Sequence, residues 1–234
     1  MRMEDSRRLT GPNLFSTLPG AVGDVEIEPA QQSALADAWR RHMLTLLSAL
    51  GWAGCQLFSR GHATGVSLGI TAPMDCLYAA TDVNEAAFDL ARAELAGEPG
   101  ADVDDIVVRL RRLIDEERSP ALVVLADEAA RRRTPFLVDD DDVSLGYGQH
   151  AQVYDTRKPP DASDIDWAAA GCEGDVPVAL VTGTNGKSTT VRLAAAIVAA
   201  SGRTAGVTST DYIRVGDDVI DQGDYSGPGG ARQL

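Results

Sequence analysis

Aromatic residues, cysteine, histidine and basic residues are all scarce in this chain of 234 residues. Aromatics make up 5% of the chain although 44% of it is hydrophobic, so a packed core must rely on Ala, Val, Leu and Ile. The three cysteines, Cys55, Cys76 and Cys172, are far apart and form no Cys-x-x-Cys pair. This spacing favours reduced thiols in a cytosol over a disulfide framework or a zinc site. The three histidines are equally scattered, which disfavours a histidine metal centre.

Acidic residues outnumber basic ones by 35 to 21, giving a net charge of −14. An acidic surface repels a phosphate backbone, so we expect no broad nucleic-acid binding. The first residues are polar and lack the apolar stretch of a secretory signal. The longest apolar runs, such as 193–200, are shorter than the ~20 residues that cross a bilayer. We therefore expect a cytoplasmic protein without a membrane partner. The sequence does not determine whether the chain forms a homo-oligomer.

The most specific signal is VALVTGTNGKSTT, residues 178–190. The order predicts a strand, a phosphate loop and a helix from about 188 to 201. Gly183 and Gly186 tolerate backbone angles that let amide groups converge on an anion. Lys187 can reach the outer phosphates, and Ser188 offers a hydroxyl for Mg²⁺. The usual glycine at 181 is replaced by Val181. A chance turn is the alternative, but it would not require Gly-Lys-Ser where a helix begins.

The octapeptide GTNGKSTT, residues 183–190, resembles the phosphate loop of the Mur ligase superfamily. A second segment, 223–232, resembles part of the Mur-like half of cyanophycin synthetase and its relatives. Residues 8–13, 133–138 and 145–148 resemble, more loosely, elements of that family's N-terminal domain. The resemblance implies an ATP-dependent ligase that forms amide bonds. It implies that a carboxylate is activated as an acyl phosphate, which an amine then attacks, with an amino acid or peptide as substrate.

The resemblance also implies roles for individual residues, with ATP and Mg²⁺ as cofactors. Lys187 would balance the charge that develops on the transferred phosphoryl group, and is the predicted catalytic residue. Ser188 would hold Mg²⁺, and Ser209 matches a family position that can reach the same ion; an ordinary turn hydroxyl is the alternative for Ser209. The predicted nucleotide-binding residues are Gly183, Thr184, Asn185, Gly186, Lys187, Ser188 and Thr189.

Hydrophobic periodicity predicts an α/β fold, with a small mixed N-terminal domain followed by the start of a P-loop, doubly wound central domain. The predicted boundaries are 1–156 for the N-terminal domain, 157–175 for a linker with two prolines, and 176–234 for the incomplete ATP-binding domain. Predicted helices span 31–50, 84–95, 104–117 and 120–133. Predicted strands span 66–71, 76–81, 134–138, 149–155 and 204–209, with a hairpin over 212–220.

The chain departs from the family pattern in two places. The linker leaves no room for the ATP-grasp domain that cyanophycin synthetase carries. The metal-binding glutamate of the central domain and the closing C-terminal domain are not in this sequence either. We therefore expect a fragment, or a subunit completed by a partner, that is inactive alone. One alternative is a nucleotide-binding remnant or regulatory protein. Another is an unrelated P-loop NTPase, which would show a later Walker-B aspartate; none is visible before Leu234.

Overall fold

The computed structural model describes residues 1–171, 176–227, 230 and 234. It confirms the predicted α/β class. The chain divides into two compact units, one built from Met1–Leu145 and Gln152–Ala168 and the other from Gly146–Ala151 and Ala169–Leu234. Cys172, the end of the predicted linker and most of the resembling segment after 227 lie outside the described residues. The domain boundaries drawn from sequence stay a prediction.

The N-terminal unit contains a four-stranded antiparallel sheet with the strand order β1-β2-β4-β3. Three helices, α1 to α3, contribute with the sheet to one hydrophobic core. The strands are β1 (Arg2–Leu9), β2 (Gly20–Glu26), β3 (Leu57–His62) and β4 (Gly65–Thr71), and the helices are α1 (Pro29–Leu50), α2 (Leu77–Ala96) and α3 (Val103–Glu117).

Helix α1 forms where its apolar spacing predicts it. Its buried positions follow the three- and four-residue repeat of a helix that packs by one face. The helix ends at Gly51, whose φ of 78° is left-handed and closes the last turn with hydrogen bonds to two carbonyls. The buried residues of α1 are Leu35, Ala38, Trp39, Met43, Leu46 and Leu47.

One buried polar contact ties the two long helices to the sheet. Asn84 of α2 has no exposed surface. Its Oδ1 accepts a 2.9 Å hydrogen bond from the Trp39 indole, and its Nδ2 donates one of 3.0 Å to the Leu68 carbonyl. The amide therefore links α1, α2 and β4 inside the core.

Helix α2 begins earlier than predicted, and the expected strand at 76–81 is wrong. The carboxylate of Glu117, at the end of α3, accepts hydrogen bonds from the backbone N–H groups of Tyr78 and Ala79. Exposed N–H groups at a helix start need acceptors, and a charge from a distant helix supplies them here. This tertiary cap favours a helix where the short apolar run alone resembled a strand.

The rest of the N-terminal unit is a helix followed by a three-stranded antiparallel sheet. Helix α4 confirms the prediction over 120–133, and the predicted strand at 149–155 begins only after a short 3-10 turn at Gly148–His150. The acidic turn at 139–142 is organised by Asp139, whose Oδ1 accepts the N–H groups of Asp141 and Asp142. The elements are α4 (Pro120–Arg132), β5 (Phe136–Val138), β6 (Asp142–Leu145) and β7 (Gln152–Asp155), with strand order β5-β6-β7.

The C-terminal unit has one long helix and a three-stranded antiparallel sheet of order β10-β9-β8. The predicted strand near 204–209 and the hairpin after it are confirmed. A short helix precedes them at the junction of the two units. The elements are α5 (Trp167–Ala170), α6 (Lys187–Ala200), β8 (Gly206–Thr208), β9 (Tyr212–Val215) and β10 (Asp218–Gln222).

The strand predicted before the loop, at 178–181, is wrong. Residues 176–182 form no strand, and Val178 and Leu180 are 73% and 89% exposed. A buried parallel strand is held by hydrogen bonds to its neighbours. Within the described part of this unit, β8 pairs only with β9, and no strand pairs with 176–182. The apolar run therefore has no regular secondary structure and is mostly exposed. No helix among the described residues is long and apolar enough to cross a membrane.

Candidate functional site

The predicted phosphate loop lies directly before α6. Gly183 has a φ of 147° and Gly186 a φ of 79°, both in the range that favours glycine. Gly186 occupies the N-cap position of the helix. A Cβ atom at Gly186 would meet no heavy atom within 4 Å, so the loop faces open space there. Two glycines thus shape a turn whose concave side is accessible to a ligand.

The first turn of α6 presents backbone N–H groups at this loop. No side chain caps the helix, and the N–H of Thr190 is bonded to the carbonyl of Gly186. In an α-helix the amides before that bond lack partners within the helix, so they suit an anion. Ser188 is half-buried, whereas Thr184, Asn185 and Thr189 are exposed. Residues 183–189 are therefore grouped at the positive end of the helix dipole.

Lys187 is folded back over the loop. Its Nζ donates a 2.6 Å hydrogen bond to the carbonyl oxygen of Gly183. The ammonium group therefore lies across the turn, beside the amides that begin α6. A charged donor at that point can contact an anion held by those amides after giving up one backbone bond.

The second predicted metal residue, Ser209, lies beside the loop but is turned into its own backbone. It is 5% exposed. Its hydroxyl accepts hydrogen bonds from the N–H groups of Asp211 and Tyr212, at 3.2 and 3.4 Å. The neighbouring Thr210 hydroxyl faces the site instead, 3.4 Å from the Oγ of Ser188. Sequence reasoning missed Thr210; the run Thr208-Ser209-Thr210, which offers three hydroxyls after a strand, was the available signal.

A basic residue stands one turn behind Ser188 on α6. The guanidinium of Arg192 donates a 2.5 Å hydrogen bond to Asp211 and lies 5.8 Å from the ring centre of Tyr212. The loop after β8 is thereby attached to the helix that carries Ser188. Since Asp211 offsets the charge of Arg192, Lys187 is the cation that can turn to a ligand.

This arrangement fits a nucleotide triphosphate with Mg²⁺. Helix amides and one lysine can bind phosphate oxygens, and the hydroxyls of Ser188 and Thr210 are hard oxygen ligands of the kind Mg²⁺ accepts. The ion usually keeps several waters and is bound partly by phosphate oxygens, so two protein oxygens are sufficient.

Other groups capable of chemistry are isolated. No cluster of three or more His, Cys, Asp or Glu residues suited to a metal occurs in the described ranges. Burial raises the pKa of Cys76 to about 12, with Asp75 adding to the effect, so the thiol stays protonated. Burial also raises the pKa of Cys55. Cys76 belongs to the hydrophobic core and Cys55 packs against it, so the loop remains the strongest candidate site.

About a quarter of the chain is similar to known proteins. No family model matches the chain. It is 51% identical over 53 residues to the cyanophycin synthetase of Geminocystis herdmanii, covering 23% of this chain and 6% of that protein. It is 46% identical over 59 residues to the enzyme of Synechocystis sp., covering 25% and 7%. With the enzyme of Nostoc sp. it shares 47% over 61 residues, covering 26% and 7%.

These curated relatives are far longer than this chain, which matches 6 to 7% of their length. The identity is high within the matched stretch, and the stretch spans about a quarter of the chain. The chain is thus similar to cyanophycin synthetases over that quarter.

Proposed function

We propose that this chain carries the ATP-binding loop of an ATP-dependent ligase that forms amide bonds in the manner of the Mur ligases. The observation that carries the proposal is the group formed by the two left-handed glycines, the uncapped start of α6 and Lys187 folded over the turn. The similarity to cyanophycin synthetases supports the reaction class. A cytoplasmic location belongs to the same proposal.

In this proposal the amides of 183–189 wrap the phosphates, with Gly183, Thr184, Asn185, Gly186 and Thr189 forming the wall of the site. Lys187 leaves the carbonyl of Gly183 and contacts the outer phosphate oxygens. Ser188 holds Mg²⁺, with Thr210 or Ser209 as the second hydroxyl. Mg²⁺ would supply positive charge that stabilises the charge on the transferred group.

The amine and carboxylate substrates belong to the chemistry of the whole ligase. We propose an amino acid or peptide as the amine and a carboxylate that is activated by phosphoryl transfer from ATP. This order of steps needs positioning and charge neutralisation at the loop rather than a protein nucleophile.

Calorimetry with the full chain tests the proposal. ATP with Mg²⁺ should bind, ATP with EDTA should bind more weakly, and AMP, which lacks the outer phosphates, should bind more weakly still. Equal affinity for AMP and ATP would contradict a phosphate loop. Phosphate release should then be followed with ATP, an amino acid and an acceptor peptide. ATP binding without turnover agrees with the expectation that this chain is inactive alone, whereas phosphate release that requires both the amino acid and the acceptor would contradict that expectation.

A further inference from the structure

The N-terminal strand β1 lies at one edge of the four-stranded sheet. It pairs with β2 on one side, and no described strand pairs with its other side. An unpaired edge exposes backbone N–H and C=O groups that another strand can bind, and proteins usually protect such edges. Charges of a single sign along the edge would protect it by repelling a second copy. Strand β1 instead carries charges of both signs.

The central residues of β1 read Glu4-Asp5-Ser6-Arg7-Arg8, two acids and two bases on either side of one serine. In an antiparallel pair of identical strands, a two-fold axis normal to the sheet passes through one residue, and residues equally distant from it face each other. If the axis passes through Ser6, Asp5 faces Arg7 of the second copy and Glu4 faces Arg8 of the second copy. Each contact occurs twice.

Neighbouring registers are unfavourable. An axis through Asp5 or through Arg7 places that charge opposite its own copy, and like charges directly opposite each other are destabilising. Ser6 is the uncharged residue of the five, so it is the position at which self-pairing brings no like charges together at the axis. The bulge in the β1–β2 pairing lies between Met3 and Asp5. The stretch from Asp5 to Leu9 is regular and carries the two contacts between Asp5 and Arg7, whereas Glu4 is the extra residue of the bulge and reaches Arg8 of the second copy from there.

The Ser6 hydroxyl supplies a second observation. Its Oγ is buried and has no hydrogen-bond partner among the described residues of the chain. Buried hydroxyls normally have partners, so such an atom requires an explanation. Directly opposite residues in an antiparallel pair have Cβ atoms about 4.5–5.5 Å apart, so two serine hydroxyls can bond to each other once each Ser6 side chain turns out of its covered position.

The existing ion pairs of the strand permit this exchange if Arg8 is shared. Its Nη1 and Nη2 donate to the Asp140 carboxylate of the same chain, and the guanidinium has further N–H groups for Glu4 of the second copy. Arg7 contacts both Asp5 and Asp24, so it keeps Asp24 when Asp5 turns to the second copy. Glu4 contacts Arg2 at 3.8 Å, with both side chains largely exposed. The opposite edge strand, β3, offers no such pattern, since Leu57–His62 contains Arg60 and His62 but no acid.

We infer that β1 is a dimerisation edge: two copies of the chain pair antiparallel through β1 with the two-fold axis at Ser6, forming one continuous eight-stranded sheet. The inference rests on the N-terminal unit and is independent of the nucleotide site. Its interface is isologous, so it closes at two copies and does not propagate into fibres.

Light scattering and cross-linking test the inference on the full chain. The wild-type protein should have twice the 24.7 kDa chain mass at micromolar concentration. The double variant Glu4→Arg/Asp5→Arg makes the centre of β1 wholly basic apart from Ser6 and should raise the dimer dissociation constant at least tenfold. Asp115→Arg/Glu116→Arg, two exposed positions on α3, makes the same change in net charge and should leave the constant unchanged.

Cysteine variants test the register. Under mild oxidation Ser6→Cys should form a disulfide-linked dimer, whereas Arg2→Cys, which is far from the axis, should not. The wild-type chain gives the background from its native cysteines. A monomer at every concentration, equal cross-linking of the two variants, or a dimer that Ser6→Cys fails to cross-link would overturn the inference. The cysteine pair also decides the question if the double-arginine variant proves unfolded by its melting curve.

Discussion

The ammonium group of Lys187 donates a 2.6 Å hydrogen bond to the carbonyl oxygen of Gly183, four residues earlier in the chain. The bond joins the two ends of the loop, and it uses the positive charge that a bound anion would contact. A bound phosphate competes for that ammonium group, and the contact between two charges is stronger than the one to a neutral carbonyl. A bound phosphate would therefore replace this contact.

We predict that Lys187→Ala weakens the binding of ATP with Mg²⁺ at least tenfold and leaves the melting temperature almost unchanged. The lysine contributes to a loop rather than to the core, so its removal costs little stability. Arg203→Ala is the matched control, since it removes one exposed positive charge beyond the other end of α6. Calorimetric titration of both variants measures the difference. Equal affinities for the two variants would show that Lys187 acts only as a surface charge.

Variants of the two neighbouring hydroxyl residues after β8 should have different effects, one on Mg²⁺ dependence and the other on stability. Thr210→Val removes the hydroxyl that faces Ser188, and we predict that it reduces the dependence of ATP affinity on Mg²⁺ without changing stability. Ser209→Ala removes the acceptor of two backbone N–H groups, so it should lower the free energy of unfolding by about 1 kcal/mol. ATP titrations with and without Mg²⁺, beside urea denaturation, measure both. A larger loss of Mg²⁺ dependence in Ser209→Ala would assign the ion to Ser209.

The buried amide of Asn84 should be a major determinant of the stability of the N-terminal unit. Asn84→Ala leaves the Trp39 indole N–H and the Leu68 carbonyl without their partner in the core. We predict a loss of about 3 kcal/mol in the free energy of unfolding, because unpaired buried polar groups are costly. The adjacent exposed position provides the control: Glu85→Ala should change it by about 0.5 kcal/mol or less. Urea denaturation followed by tryptophan fluorescence gives both values, and similar losses would refute the role of the amide.

Acid should weaken the contact between Arg8 and Asp140. The hydrogen bonds from Arg8 hold the pKa of the Asp140 carboxyl below its ordinary value of 3.8. A lowered pKa means that the charged form stabilises the fold above the unfolded pKa of about 3.9, and that this stability is lost as the pH falls through the folded pKa. Both side chains are partly exposed, so the contribution is about 1 kcal/mol or less.

We therefore predict that Asp140→Asn is slightly less stable than the wild type from pH 5 to 7, and that the difference shrinks as the pH falls below 3.8. The exposed Asp141→Asn variant should show no such difference. Urea denaturation across this pH range is the measurement. A wild-type advantage that persists unchanged at the lowest pH would contradict the assignment.

Residues with strong local patterns were predictable, and those fixed by distant partners were not. The spacing in α1 and the stop at Gly51 are local properties, and both are confirmed. Strand β1 is mostly charged and lacks alternating apolar residues, so its pairing with β2 gave no sequence signal. In β2, a side chain at Gly20 would come within 1.9 Å of the Ile70 carbonyl oxygen. That glycine permits the close approach to β4, which only the folded sheet reveals.

The candidate site likewise contains parts that the local sequence predicts and parts that depend on distant residues. The loop glycines and the helix that begins at Lys187 follow from residue types and their order, and the start of α6 agrees with them. Thr210 comes near Ser188 through the folding of β8 back onto the helix, a contact between residues 22 positions apart. The apolar run at Val178 and Leu180 has the composition of a strand, but composition cannot supply the neighbouring strand that a sheet requires.

Hydrogen exchange measured by mass spectrometry, with and without ATP and Mg²⁺, tests the central claim most directly, because it locates the ligand on the chain. The account predicts slower exchange of the backbone amides from Gly183 to Thr190 when ATP and Mg²⁺ are present, and no such change with AMP. In Lys187→Ala the protection should fall. Protection confined to the N-terminal unit, or unchanged exchange at Gly183–Thr190 at saturating ATP, would contradict it.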